Sequence, residues 1–93
     1  MGMSTRENFT PVGYQAIAPT SSTALTVPNG ATHCLIRTEV QDCRFTDDGT
    51  TPTLTVGMVI MIEDPPLWYA GDLHKLLFFN DTAGALVKVL YYK

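Results

Sequence analysis

Residues 74–92 read HKLLFFNDTAGALVKVLYY, and their reading decides the fold. In 84–92, Ala85, Val87, Val89 and Tyr91 recur at every second position. Leu86, Lys88, Leu90 and Tyr92 fill the positions between. A period of two is the side-chain repeat of a β-strand, since successive Cβ atoms leave opposite faces of the pleat. In 74–80, Leu76 and Phe78 face one way, and Leu77 and Phe79 the other. Asn80 to Gly84 separates the two runs and reads as a turn. This is the pattern of two successive antiparallel strands, each with an inward series and a second side that is also partly apolar.

The same reading extends through the chain. Pro19, Pro28-Asn29-Gly30, Asp47-Asp48-Gly49, Pro52, Gly57, Pro65-Pro66 and Gly71-Asp72 punctuate it at short intervals. Turn signals every 8–12 residues or so, with no sustained helical period between them, indicate an all-β sandwich or barrel. Eight strands are expected, over roughly 12–18, 23–27, 32–40, 42–46, 56–63, 66–70, 74–80 and 84–92. At 93 residues the chain fits one domain. We expect a single antiparallel β-sandwich of jelly-roll-like form over residues 12–93, preceded by a flexible or extended arm over 1–11 that ends in Pro11. Cys34 and Cys43 lie nine positions apart on a long segment without a turn residue at its centre. That segment reads as one bent or bulged strand with reduced, core-facing thiols.

Composition narrows the function. Charged residues make up 16% of the chain and the net charge is −3. There is no basic run or stripe, so no nucleic-acid partner is expected. No apolar stretch approaches the ~20 residues of a membrane helix, and no secretory leader is visible, so we expect a protein made in a cytoplasm without membrane contact. A charge-poor surface suits coverage by a partner.

No catalytic, cofactor or metal site emerges. His33 and Cys34 are adjacent in an expected strand and so point to opposite faces, and paired ligands at zinc spacing are missing. Asp47-Asp48-Gly49 lacks the remainder of a calcium loop and reads as a turn, with Arg44 close enough to form a local ion pair. No serine stands in a nucleophile elbow. The informative feature is the apolar second side of several strands. Val59 and Met61, Leu77 and Phe79, and Leu86, Leu90 and Tyr92 occupy positions that one sandwich core does not need. Contiguous apolar patches mark interfaces, so these seven are the candidate contact residues of a homo-oligomer. Trp68 and Tyr69, between Pro65-Pro66 and Gly71-Asp72, are a candidate surface aromatic pair, able to stack on a sugar or to pack in a subunit contact.

Three segments carry a resemblance: VPNGATHCLIRTEVQDCRFTDDGTTPTLTVG at 27–57, WYAGDLHKLLFF at 68–79 and AGALVKVLYYK at 83–93. Their order of turns and core positions resembles small β-sandwich virion proteins of tailed bacteriophages, over roughly residues 14–93, most specifically from Arg44 to Gly57. The resemblance implies a structural role in the virion, as a capsid decoration (cement) protein or a head or tail accessory protein. Such proteins often form trimers, and the implied partners are other copies of the chain and the phage major capsid protein. On that reading the arm orders on the shell. The alternative expectation is a carbohydrate-binding or host-recognition module of a phage tail, using Trp68 and Tyr69. A small metal-dependent β-barrel enzyme ranks last, because it needs more histidines than His33 and His74.

Overall fold

The computed structural model describes residues 8–80 and 83–93 of the chain. Among them are eight strands: β1 Pro11–Ile17, β2 Thr23–Ala24, β3 His33–Glu39, β4 Cys43–Thr46, β5 Met58–Ile60, β6 Leu67–Ala70, β7 Leu77–Asn80 and β8 Leu86–Tyr92. Each falls within or beside an expected strand. They form two four-stranded antiparallel sheets, ordered β1-β8-β3-β6 and β2-β7-β4-β5. The pairs β1·β8, β2·β7, β3·β6 and β4·β5 are the rungs of one long hairpin folded at the β4–β5 connection. The pairs β3·β8 and β4·β7 wrap that hairpin into two facing layers. This is the jelly roll, two interlocked Greek keys.

The core lies between the sheets and follows the period-two series. Cys34, Ile36 and Thr38 of β3 face inward, as do Val87, Val89 and Tyr91 of β8, all at most 1% exposed. From the second sheet come Cys43, Ile60 and Phe78, with Leu73, Leu76 and Ala85 closing the ends. Fully burying one such aliphatic or aromatic side chain contributes roughly 1.5–3 kcal/mol. Two polar side chains stitch the layers. Gln15 Oε1 accepts from Tyr91 Oη at 2.7 Å and from Thr26 N at 3.0 Å, tying β1, β8 and the segment after β2. Buried Thr38 donates from Oγ1 to Gln41 O at 2.7 Å.

Three expectations change. The segment 32–46 is not one bent strand. It turns sharply at Val40 (φ 74), where Gln41 N donates to Glu39 O at 2.9 Å, and the chain passes from one sheet to the other. An i to i+2 hydrogen bond across a residue of positive φ is a γ-turn of the rare, strained hand. His74 and Lys75 are not strand residues. They lie in a single 3₁₀ turn, Leu73–Lys75, whose entry is capped by Asp72 Oδ1 accepting from His74 N at 3.1 Å. The fifth strand, expected over 56–63 with Val56, Met58, Ile60 and Ile62 on one face opposite Val59 and Met61, is three residues long, and of those four only Ile60 is buried.

Of the expected arm, residues 1–7 lie outside the described residues. Asn8 onward belongs to the domain. Thr10 exchanges backbone hydrogen bonds with Lys93 in both directions, each 2.9 Å, and Phe9 packs against His33.

Candidate interaction surface

β5 is an edge strand, paired only with β4. Among the described residues nine large apolar side chains are exposed, and six of them fall in one run: Leu54, Val56, Met58, Val59, Met61 and Ile62. Scattered exposed apolar residues are ordinary, but a continuous run along a strand edge is not. The backbone carrying the run is well satisfied. Met61 N donates to Asp64 Oδ2 and Ile62 N to Asp42 Oδ1, each at 2.9 Å, while Asp64 N returns to Met61 O at 3.0 Å. Upstream, Thr53 N donates to Val56 O at 3.0 Å, and Thr53 Oγ1 accepts from Val56 N at 3.2 Å. The apolar side chains are therefore presented by a fastened segment.

The edge of the second sheet at β5 faces the edge of the first at β6, and between them lies an open groove of about 390 Å³. Phe45, Ile60 and Leu67 line its depth, Met58, Val59, Pro66 and Trp68 its sides, and Asp64 is the one charged residue on its wall. On the far side of Met58 is a shallower hollow of about 300 Å³ lined by Phe45, Thr46, Asp47, Asp48, Thr50 and Val56 among others. Met58, 69% exposed, stands between the two.

The strand register distributes the remaining candidates. On the outer face of the first sheet, Tyr14, Leu90, Leu35 and Trp68 stand in one row across all four strands. Tyr14 is 60% exposed and Leu90 41%. The neighbouring row holds Ala16, Lys88 and Arg37. Lys88 Nζ lies 3.2 Å from Glu39 Oε1, and that contact holds the lysine's pKa above its ordinary value. Leu86, half-buried, is opposite Glu39. On the outer face of the second sheet Val59, Arg44 and Phe79 form one row, and Leu77 lies opposite Thr46 and Ala24. Met61 sits in the turn after β5. The seven candidate contact residues thus divide between two opposite faces and do not form one patch.

Tyr92 departs from its expected exposure. It is 7% exposed because Trp68 covers it, ring centroids 5.3 Å apart. Trp68 is itself half-buried in an aromatic cluster, with His33 stacked at 5.4 Å and Phe9 edge-on at 5.4 Å. Trp68 and Tyr69 point to opposite faces of the sheet, since their register partners are Leu35 and the fully buried Cys34. Tyr69 packs on the core and donates from Oη to Asp47 Oδ2 at 3.0 Å. The two rings therefore do not make a common stacking platform. Arg44 donates from Nη1 to Gly57 O at 3.1 Å, and Asp48 Oδ1 accepts from Thr50 N at 2.9 Å, which lowers the Asp48 pKa. Side chains of Thr46, Asp48 and Tyr69 supply the hydrogen bonds at this loop, Thr46 donating from Oγ1 to Thr50 O.

Sequence reasoning missed Met58, Leu54 and Tyr14. Alternation placed Met58 on the core side, and it does point that way, but it lies where the two sheets have parted. Among the described residues no group of three His, Cys, Asp or Glu is placed to hold a metal. Cys34 and Cys43 are buried free thiols, and burial pushes the Cys34 thiol up to about 12. No family model, curated protein or solved structure matches this chain.

Proposed function

We propose that this jelly roll is a non-enzymatic structural protein that works by joining copies of itself and seating them on a larger shell, as a phage capsid decoration protein does. The observation that carries the assembly reading is the fastened apolar run along β5 with the groove beside it. An edge strand of this character is ordinarily blunted by charge or covered by another chain. The virion setting is supported by the sequence resemblance over residues 14–93 and is compatible with a surface of low charge. A trimer is the favoured assembly on the same resemblance. The sugar-binding reading draws less support, because Trp68 has rings against it and Tyr69 faces the core.

The test is the solution mass, measured by light scattering coupled to size exclusion. The full chain should run as a closed oligomer across a wide concentration range. Introducing Met58→Asp and Val59→Asp together should return it to a monomer with an unchanged far-ultraviolet circular dichroism spectrum. If each is a central contact worth ~2 kcal/mol, association should weaken on the order of a thousandfold. A wild-type chain that stays monomeric at every concentration would overturn self-association.

A further inference from the structure

Among the described residues the exposed large apolar side chains fall into two groups. Six form the β5 run. Two more, Tyr14 and Leu90, stand with half-buried Leu35 in one row on the outer face of the first sheet. The last, Val40, sits at the corner between β3 and β4. The two groups also differ in charge. At the end of the β5 run, the turn from Met61 to Asp64 carries Ile62 and Glu63 at its tip. The carboxylates beside it are engaged, Asp64 by Met61 N and Asp42 by Ile62 N. Glu63 is exposed and, among the described residues, in no ion pair. On the first sheet Lys88 is paired with Glu39. That leaves Arg37, two positions along β3 from Leu35 and on the same face, exposed and likewise in no ion pair.

We infer that copies of the chain meet edge to face. The β5 run of one copy, led by Met61 and Ile62, seats on the Tyr14, Leu90 and Leu35 row of the next, with Glu63 against Arg37 of that next copy. This rests on the assembly reading and says which two surfaces meet.

Charge favours this contact over pairing of the edge with itself. An antiparallel pairing of β5 with a second β5 brings the Glu63 end against the hollow at the other end, which holds Asp47 and Asp48. A parallel pairing brings Glu63 against Glu63. Acid meets acid in both, and Arg44 between the two ends is already held by Gly57 O. Like charges juxtaposed across an interface oppose association, and opposite charges fix its register. Closure favours it too. A contact between two different surfaces makes a ring when each step turns, and a filament when it does not. The edge and the outer face of one sandwich stand roughly at right angles, so edge-to-face copies turn at every contact and close into a ring of a few subunits. The division of the candidate residues between separate surfaces is what such a contact requires.

Charge reversal tests it, read as the mass of the full chain by light scattering coupled to size exclusion. Arg37→Glu alone and Glu63→Arg alone should each weaken association about tenfold or more. Arg37→Glu with Glu63→Arg should restore it to within about threefold of wild type. All of these side chains are exposed, so the circular dichroism spectrum should not change. Tyr14→Glu with Leu90→Glu should dissociate the oligomer as fully as Met58→Asp with Val59→Asp. If the wild type is an oligomer and Arg37→Glu and the Tyr14 and Leu90 variant leave its mass unchanged, the edge-to-face contact is wrong and the assembly reading stands. Single reversals that dissociate without rescue in the double also overturn the Glu63–Arg37 contact. A wild type that is monomeric at every concentration removes the assembly reading and this contact with it.

Discussion

Replacing Val40 by glycine should stabilise the protein, although it deletes a side chain. Val40 holds φ at 74, a β-branched residue in a region that favours glycine, and the γ-turn bond from Gln41 N to Glu39 O fixes it there. Such a residue costs on the order of 1–3 kcal/mol, and ~2 is a fair central value. Glycine relieves that strain. Against the gain stand two losses. A glycine gives the unfolded chain more freedom, worth ~0.5–1 kcal/mol. The Val40 side chain is 65% exposed, so its removal forfeits only ~0.5 kcal/mol of burial. The balance is a net gain of ~0.5–1 kcal/mol. In a domain of this size that raises the thermal midpoint by about 3–6 °C. Urea denaturation at constant slope, with a calorimetric scan, measures both numbers. Val40→Ala is the control, since it keeps a Cβ at positive φ while losing the methyl groups, and it should fall ~1 kcal/mol below Val40→Gly. If the glycine variant is no more stable than the alanine variant, the corner is not strained and the reasoning fails.

Three further perturbations follow from the same geometry. Burial raises the Cys34 thiol from 9.0 to about 12 and raises the Tyr91 phenol as well, so the folded state favours both neutral forms. That stabilisation is complete below pH 9.0 and is lost as pH climbs toward 12, so urea midpoints should be level up to about 9 and fall above it, less steeply in Cys34→Ala. Gln15→Ala leaves the Tyr91 hydroxyl and Thr26 N without their shared acceptor and should cost ~1–3 kcal/mol in urea titration, more than the ~0.5–1.5 kcal/mol of Tyr91→Phe. Gly57→Ala puts a Cβ 3.0 Å from Phe45 O at a φ of +119, and should cost ~1–3 kcal/mol with faster amide exchange along β5.

The strands were legible because their signals are local. The inward series Val87, Val89 and Tyr91 needs only a period of two, and the Asn29-Gly30 turn needs only a residue at ease with the φ of 87 that Gly30 adopts. The Val40 corner was not legible, since no Gly, Asn or Asp occupies its strained position. Tertiary pairing imposes it: β3 is held by β8 and β6, β4 by β7 and β5, and Thr38 clamps Gln41 O from inside. Tyr92 shows the same limit from the other side. Its place in the alternation is the outward one, and only the strand order brings Trp68 over it.

The candidate surface depends on that strand order as well, and this explains why alternation located part of it and misjudged the rest. In a jelly roll the chain leaves one sheet at β5 and enters the other at β6, and both strands are edges. Their junction is an open side of the sandwich, so a residue can point inward there and still meet solvent. Met58 does so, and it has more apolar area left to bury than Leu77 or Phe79, which are already half-covered on the outer face of the second sheet. Gain on association scales with the apolar area removed from water, at ~25 cal/mol per Å². By that measure Met58 at the β5 edge outweighs Leu77 and Phe79. On the assembly reading proposed above, the two-sided strands that first pointed to self-association are its flanks, and its centre is the short strand whose alternation gave the least reliable guide to burial.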